Sequence, residues 1–95
     1  MNQTILSARI AEAAALRYTP SGLPAIDLRL EHESETLEAG LQRQVKVEMK
    51  AVAFGTQAET LARQPIGSGF RFTGFLAAPR HGKHPVLHIQ SFEQV

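Results

Sequence analysis

The sequence predicts a small all-β domain that contains one short helix. Residues 25–32 and 44–51 alternate apolar and polar side chains with the period of two that is typical of a half-buried strand. Segments that begin at Phe70 and Val86 also have the composition of strands. After residue 51, helix signals are confined to residues 56–64. Strands therefore dominate the predicted secondary structure.

Length and composition bound the protein to one globular domain. The 95 residues, taken as a single domain 1–95, are 20% charged and 43% hydrophobic, a balance typical of folded chains. Ten Lys and Arg residues are nearly balanced by nine Asp and Glu, so any nucleic-acid-binding surface depends on where the charges lie. The absence of cysteine excludes disulfides and thiolate metal sites. With no signal-peptide pattern and no apolar run of membrane-spanning length, we expect a cytoplasmic protein without a membrane partner.

The alternating segments define inward and outward strand faces. In residues 25–32 the inward residues are Ile26, Leu28 and Leu30, and the outward ones are Asp27, Arg29 and Glu31. In residues 44–51 the inward residues are Val45, Val47, Met49 and Ala51, and the outward ones are Lys46, Glu48 and Lys50. We expect the acid-rich residues 31–44 to form a connection between these strands, with a turn at Gly40.

A short helix is predicted to follow the second alternating strand. Thr56 is the expected N-cap, Glu59 completes a capping box, and Pro65 ends the helix after about two turns. Its small apolar face consists of Ala58, Leu61 and Ala62. Such a helix is suited to plugging one end of a barrel.

Residues 5–17 fit two descriptions. They are rich in alanine, which favours a helix, yet residues 5–10 also alternate as in a strand. The residues alone leave both open. If the segment is a strand, the element order is that of a five-stranded OB-fold barrel with one short helix between strands 3 and 4.

An OB-fold barrel would bring two loops of this chain to one face. Such barrels bind single-stranded nucleic acid across their middle strands and the loops after strands one and four. The first of these loops holds Arg17 and Tyr18. The second loop, PRHGKHP, holds Arg80, His81, Lys83 and His84.

Several motifs carry a family resemblance. RYTPSG before an alternating strand, and AVAFGTQAE before a short helix, resemble the bacterial single-stranded-DNA-binding protein (SSB) superfamily. Within it, the combination of LEH, EAG and RQ is similar to the PriB (primosomal replication protein N) family. The resemblance implies a strand at the N-terminus and a homodimer paired through its first strands. It also implies binding of single-stranded DNA in replication restart with the helicase PriA and, in some lineages, the loader protein DnaT.

The sequence departs from the family at two aromatic positions. The resemblance implies a DNA surface with one aromatic residue just after EAG and a second aromatic two residues after RQ. Here these positions hold Leu41 and Lys46, and the chain has no tryptophan. Base stacking on aromatic side chains contributes about 1–3 kcal/mol per base. We therefore expect modest, salt-sensitive DNA binding that depends on Arg and Lys.

The candidate basic residues each have a plainer interpretation. Arg43, Lys46 and Lys50 would follow phosphates along a strand, or they would form an ordinary solvated face. The basic loop would fold over DNA, or it would be a hairpin tip. Its members are Arg80, His81, Lys83 and His84.

The candidate aromatic residues are equally open. Tyr18, next to Arg17, would stack on a base or cover the barrel rim. Phe75 would lie on the binding face or cover a hydrophobic patch or subunit contact. The spacing of the four histidines matches no metal-ligand set, and no catalytic motif appears, so neither a metal, a cofactor nor an enzyme is expected.

Two alternatives to the primosome accessory remain open. A short SSB paralogue is disfavoured by the absence of tryptophan. A protein-interaction adapter with weak or vestigial DNA binding is supported by the departures at Leu41 and Lys46.

Overall fold

The computed structural model describes residues Met1–Val95 and contains six strands and one helix. The elements are β1 (Thr4–Ala13), β2 (Arg17–Tyr18), β3 (Pro24–Glu38), β4 (Leu41–Phe54), α1 (Thr56–Ala62), β5 (Gly69–Ala77) and β6 (Val86–Gln94). Apart from the two-residue β2, these are the five predicted strands, with the helix between the third and fourth of them. The predicted OB-fold barrel is confirmed. No helix has both the length and the apolar character that crossing a membrane requires.

The N-terminal segment is a strand because both of its edges are used to close the barrel. Thr4–Arg9 pairs antiparallel with β5, and Arg9–Ala13 pairs antiparallel with β3. The register shifts between Ile10 and Glu12, where β1 passes from one neighbour to the other. Burial of Ala8 and Ile10 in the core outweighs the helix propensity of the alanines.

The core lies inside the barrel and is capped by the helix. The inward positions predicted on β3 are confirmed, since Ile26, Leu28 and Leu30 are at most 5% exposed. Leu61 and Ala58 of α1 are also buried, which confirms the predicted plug, whereas Ala62 faces solvent.

The predicted capping box is wrong. Gly55 is the N-cap, and no side chain caps the helix. Strand pairing continues one residue beyond β4, because the Gly55 N–H donates to the Pro24 carbonyl oxygen at 2.9 Å. The chain then turns at Gly55 with φ 69°, a left-handed conformation that favours glycine, and Thr56 is already helical.

The predicted acidic loop is also wrong, because residues 31–44 belong to a long hairpin. β3 and β4 pair residue by residue from Ala25 opposite Phe54 to Glu38 opposite Leu41. Two acids of β3 have diagonal hydrogen-bond partners on β4: Arg43 donates to Glu38 at 3.0 Å and Gln42 to Glu35 at 2.7 Å. Cross-strand contacts therefore stabilise a strand in a segment whose acidic composition predicts a loop.

The distal half of this hairpin, residues 33–46, is here named the arm. Nearly all its residues are exposed, and it accounts for the elongated shape of 50 × 28 × 21 Å. Of the predicted inward residues of β4, only Ala51 is fully buried; Val45, Val47 and Met49 are half-buried because this part of the strand extends towards or beyond the barrel end.

Candidate nucleic-acid interface

An open groove of about 470 Å³ crosses the strands between the end of β1 and the start of β6. Its lining residues are Glu12, Ala13, Ala14, Asp27, Leu28, Arg29, Lys50, Ala51 and Val86. The groove therefore lies between the loop that follows β1 and the loop that precedes β6. These are the two loops with which OB folds hold oligonucleotides.

Carboxylates hold two arginines here: Arg29, which lines the groove, and Arg17, which is bound to the lining residue Asp27. Arg17 donates to both oxygens of Asp27, from Nε at 2.8 Å and from Nη2 at 3.2 Å. This contact raises the pKa of Arg17. Arg29 lies between Glu12, Glu31 and Glu48, at 3.0, 2.9 and 3.2 Å. The hydrogen bonds to Glu12 and Glu31 raise the pKa of Arg29, so both guanidiniums are charged but already paired.

The unpaired cations concentrate beside the groove. Five of the ten Lys and Arg residues form ion pairs, namely Arg9, Arg17, Arg29, Arg43 and Arg71. The other five are Lys46, Lys50, Arg63, Arg80 and Lys83. All of these except Arg63, at the end of α1, lie on β4 or in the loop before β6. Unpaired positive charge is available for phosphates here and at one place on the helix only.

Lys50 joins the groove to the basic loop. A second depression of about 360 Å³ is lined by Arg29, Glu48, Met49, Lys50, His84 and Pro85. A third, of about 110 Å³, is lined by Lys50, Pro79, His81, Gly82, Lys83, His84 and Val86. The structure thus brings the predicted residues Lys50, His81, Lys83 and His84 together. Arg80 is an exposed neighbour in the same loop.

An aromatic surface on neighbouring strands contains the predicted Phe75 together with Phe54 and His88, which were missed at the sequence level. Phe75 of β5 stacks on His88 of β6, with ring centroids 4.8 Å apart and planes inclined by 14°. Phe54 of β4 lies on the other side of His88, at 6.1 Å and 30°. The ring of Phe54 follows Lys50 at alternate positions of β4, and this spacing could have revealed it. His88 could not have been found, because parallel pairing of β4 with β6 places it there.

The predicted residues on the arm lie outside the groove. Lys46 is four residues from Lys50 on β4, roughly 13 Å away at the rise of a strand, and alternation puts both on one face. Leu41 is 73% exposed next to the arm's turn, and Arg43 is paired with Glu38. These two lie at odd positions of β4, on the opposite face from Lys46.

Tyr18 lies at the rim. It forms part of β2, opposite Pro24, and is 64% exposed. Its neighbour Arg17 reaches the groove through Asp27, so the two residues predicted together have different surroundings. His32 has a structural position, with Nδ1 2.5 Å from the Ser7 carbonyl oxygen and Nε2 2.7 Å from Ser34 Oγ. No group of three or more His, Asp or Glu side chains converges as a metal site.

An OB-fold barrel with a groove between these loops defines the class as oligonucleotide/oligosaccharide-binding-fold proteins. Residues 2–91 match a family described as "another single-strand binding protein family". The chain is 46% identical over 96 residues to replication restart protein PriB of Bordetella pertussis, covering 100% of this chain and 90% of that protein. It is 40% identical over 90 residues to PriB of Nitrosomonas europaea, covering 94% and 83%. The chain belongs to the PriB family of replication restart proteins.

Solved structures agree with this assignment. The crystal structure of PriB from Ralstonia solanacearum has a TM-score of 0.89 and 34% identity, with 99% of this chain and 97% of that chain covered. The single-stranded DNA binding protein from Thermus aquaticus has a TM-score of 0.79 at 23% identity and covers 100% of this chain and 50% of its own length. At that identity the second comparison shows the fold alone.

Proposed function

We propose that this protein binds single-stranded DNA in replication restart, as an accessory factor of the primosome that stimulates the helicase PriA. The observation that carries the proposal is the set of unpaired cations at and beside the groove, namely Lys50 in its lining and Arg80 and Lys83 in the adjoining basic loop. Membership of the PriB family, whose relatives are named for replication restart, supports the biological role.

The proposed path of the DNA crosses the outer face of the barrel. Lys50 and the basic loop neutralise phosphates, and neutralisation releases counterions and makes binding salt-sensitive. Bases stack on the exposed parts of Phe54 and Phe75, with His88 between them. This surface compensates for the aromatics that the chain lacks at Leu41 and Lys46. Recognition through phosphates and ring faces has little base preference.

The outlying residues take lesser roles. Lys46 places a further positive charge on the same face of β4 as Lys50, with Glu48 between them. Leu41 and Arg43 would contact DNA only if the strand passed around the arm, and Tyr18 offers one further ring at the rim.

A homodimer paired through β1 fits the free edge of that strand. Residues 4–8 pair with β5 on one side and with no strand on the other. Ile5 in this stretch is 60% exposed. PriA is the proposed helicase partner, and DnaT is a further partner in organisms that have it.

The first test compares Lys50→Ala with Arg63→Ala. Both changes remove one unpaired cation, but only Lys50 lies at the groove, so K50A should weaken binding of labelled oligo-dT several-fold while R63A leaves it unchanged. Fluorescence anisotropy at low and moderate salt measures both. Equal effects of the two substitutions, or no binding of the wild-type protein at low salt, would refute the assignment.

The adapter remains the second candidate, and the ion-paired state of both groove arginines favours it. Double charge reversal at Lys46 and Lys50, assayed separately for oligo-dT binding and for fork unwinding by PriA, separates the two functions. Loss of both activities supports DNA binding as the route to stimulation. Stimulation that persists without DNA binding would establish the adapter.

A further inference from the structure

Asp27 binds the guanidinium group of Arg17 in the geometry that a phosphate would use. Nε and Nη2 of Arg17 donate to the two carboxylate oxygens, at 2.8 and 3.2 Å. Guanidinium binds carboxylate and phosphate through the same two-pronged arrangement, so one ligand excludes the other. Asp27 also lines the groove proposed for DNA.

The contact is accessible to exchange. The side chains of Arg17 and Asp27 are 49% and 52% exposed, and neither is buried in the barrel. Exposed ion pairs are weak because water and salt compete with them, so a phosphate entering the groove can replace the carboxylate. Asp27 is the only ion-pair partner of Arg17, whereas Arg29 has three.

We infer that Asp27 is an internal competitor for the DNA backbone, which holds Arg17 away from phosphate and so limits the affinity of the groove for single-stranded DNA. This inference rests on the proposed function and names a residue that sets its strength. Each phosphate that binds Arg17 must first displace Asp27, and the displaced carboxylate then repels the next phosphate. Binding is consequently weaker and more easily reversed than the number of cations alone would give.

The test is the salt dependence of oligo-dT binding by Asp27→Asn, with Arg17→Ala and the double variant. D27N should tighten binding roughly tenfold at low salt, because a competing charge is removed and a cation is released. The slope of log K against log salt should steepen by about 0.7, the value for one further phosphate neutralised on a single strand. In the R17A background D27N should leave the slope unchanged.

Two controls separate the mechanism from a change in net charge. Glu59→Gln on α1 alters net charge equally and should leave affinity and slope unchanged. Glu12→Gln removes one of three partners of Arg29 and should tighten binding less than D27N does. It also tests the idea should D27N fail to fold.

The outcomes distinguish this inference from the proposed function. If K50A weakens binding while D27N and E12Q change neither affinity nor slope, DNA binding stands and the competitor role of Asp27 is overturned. An equal gain from E59Q, or an equal steepening in the R17A background, also overturns it. If the wild-type protein and D27N both fail to bind oligo-dT at low salt, the proposed function and the inference about Asp27 are both refuted.

Discussion

Single side chains decide how much ring surface the outer face offers. Phe54 is 37% exposed and His88 is held between it and Phe75, so the three rings form a stack that reaches solvent at Phe54. The two arm positions at which the family resemblance implies aromatic side chains hold Leu41 and Lys46. The aromatic rings of this outer face lie on the barrel, where the strands fix their spacing.

Phe54→Ala should weaken oligo-dT binding by about 1–3 kcal/mol, the cost of one lost stacked base. Ile66→Ala, which shortens another exposed apolar side chain, is the matched control and should leave binding unchanged. Anisotropy titrations measure the affinity, and thermal unfolding verifies that both variants fold. If F54A binds oligo-dT as tightly as the wild-type protein does, the rings are not part of the DNA interface.

Among the elements, the arm depends on its two-residue turn. Ala39 and Gly40 both have positive φ, 53° and 78°, as a type I′ turn requires. Glycine adopts this conformation freely, whereas alanine at Ala39 is strained. A Cβ added at Gly40 would meet no atom within 4 Å, so a substitution there is opposed by the backbone conformation alone.

Ala39→Asn should therefore stabilise the arm by up to about 1 kcal/mol, because Asn-Gly is the preferred type I′ pair. Gly40→Ala should destabilise it by about 1 kcal/mol. Hydrogen exchange of amides in residues 33–46 reports the change directly, with core amides of β5 as the internal reference. Slower exchange in G40A than in the wild-type protein would contradict the turn assignment.

For the whole molecule, a charged network spans the line where the barrel closes. Arg9 and Glu12 of β1, Arg29 and Glu31 of β3, and Glu48 of β4 are linked by ion pairs. The hydrogen bond from Arg29, together with the charge of Arg9, lowers the pKa of Glu31 below its ordinary value of 4.5. The network therefore connects protonation with closure of the fold.

Acid should weaken the fold through Glu31. A carboxyl group whose pKa is lower in the folded state stabilises the protein above its unfolded pKa, and this contribution is lost as the pH falls through the folded value. Unfolding by urea at pH 6 and at pH 3.5 should show a smaller acid loss in Glu31→Gln than in the wild-type protein. Glu59→Gln, outside the network, should show the wild-type loss, and identical losses in all three proteins would exclude the linkage.

Local patterns were sufficient for the barrel's strands and its plug. Alternation at Ile26, Leu28 and Leu30 located the buried face of β3, and Pro65 limited the helix. Similar local signals failed in two places for a non-local reason. The acids of residues 31–38 become strand because β4 supplies partners, and Thr56 loses the N-cap to Gly55 because pairing with Pro24 extends the hairpin.

The sequence by itself determined the alternation of the strands, the position of the short helix and the family motifs, because each depends on residues close together in the chain. Tertiary structure alone decided the rest. Pairing of β1 with both β3 and β5 chose strand over helix, and pairing of β4 with β6 brought Phe54 to His88. The tertiary structure also placed the carboxylate of Asp27 in contact with Arg17. Such contacts follow from strand register around a closed barrel, which no local period encodes.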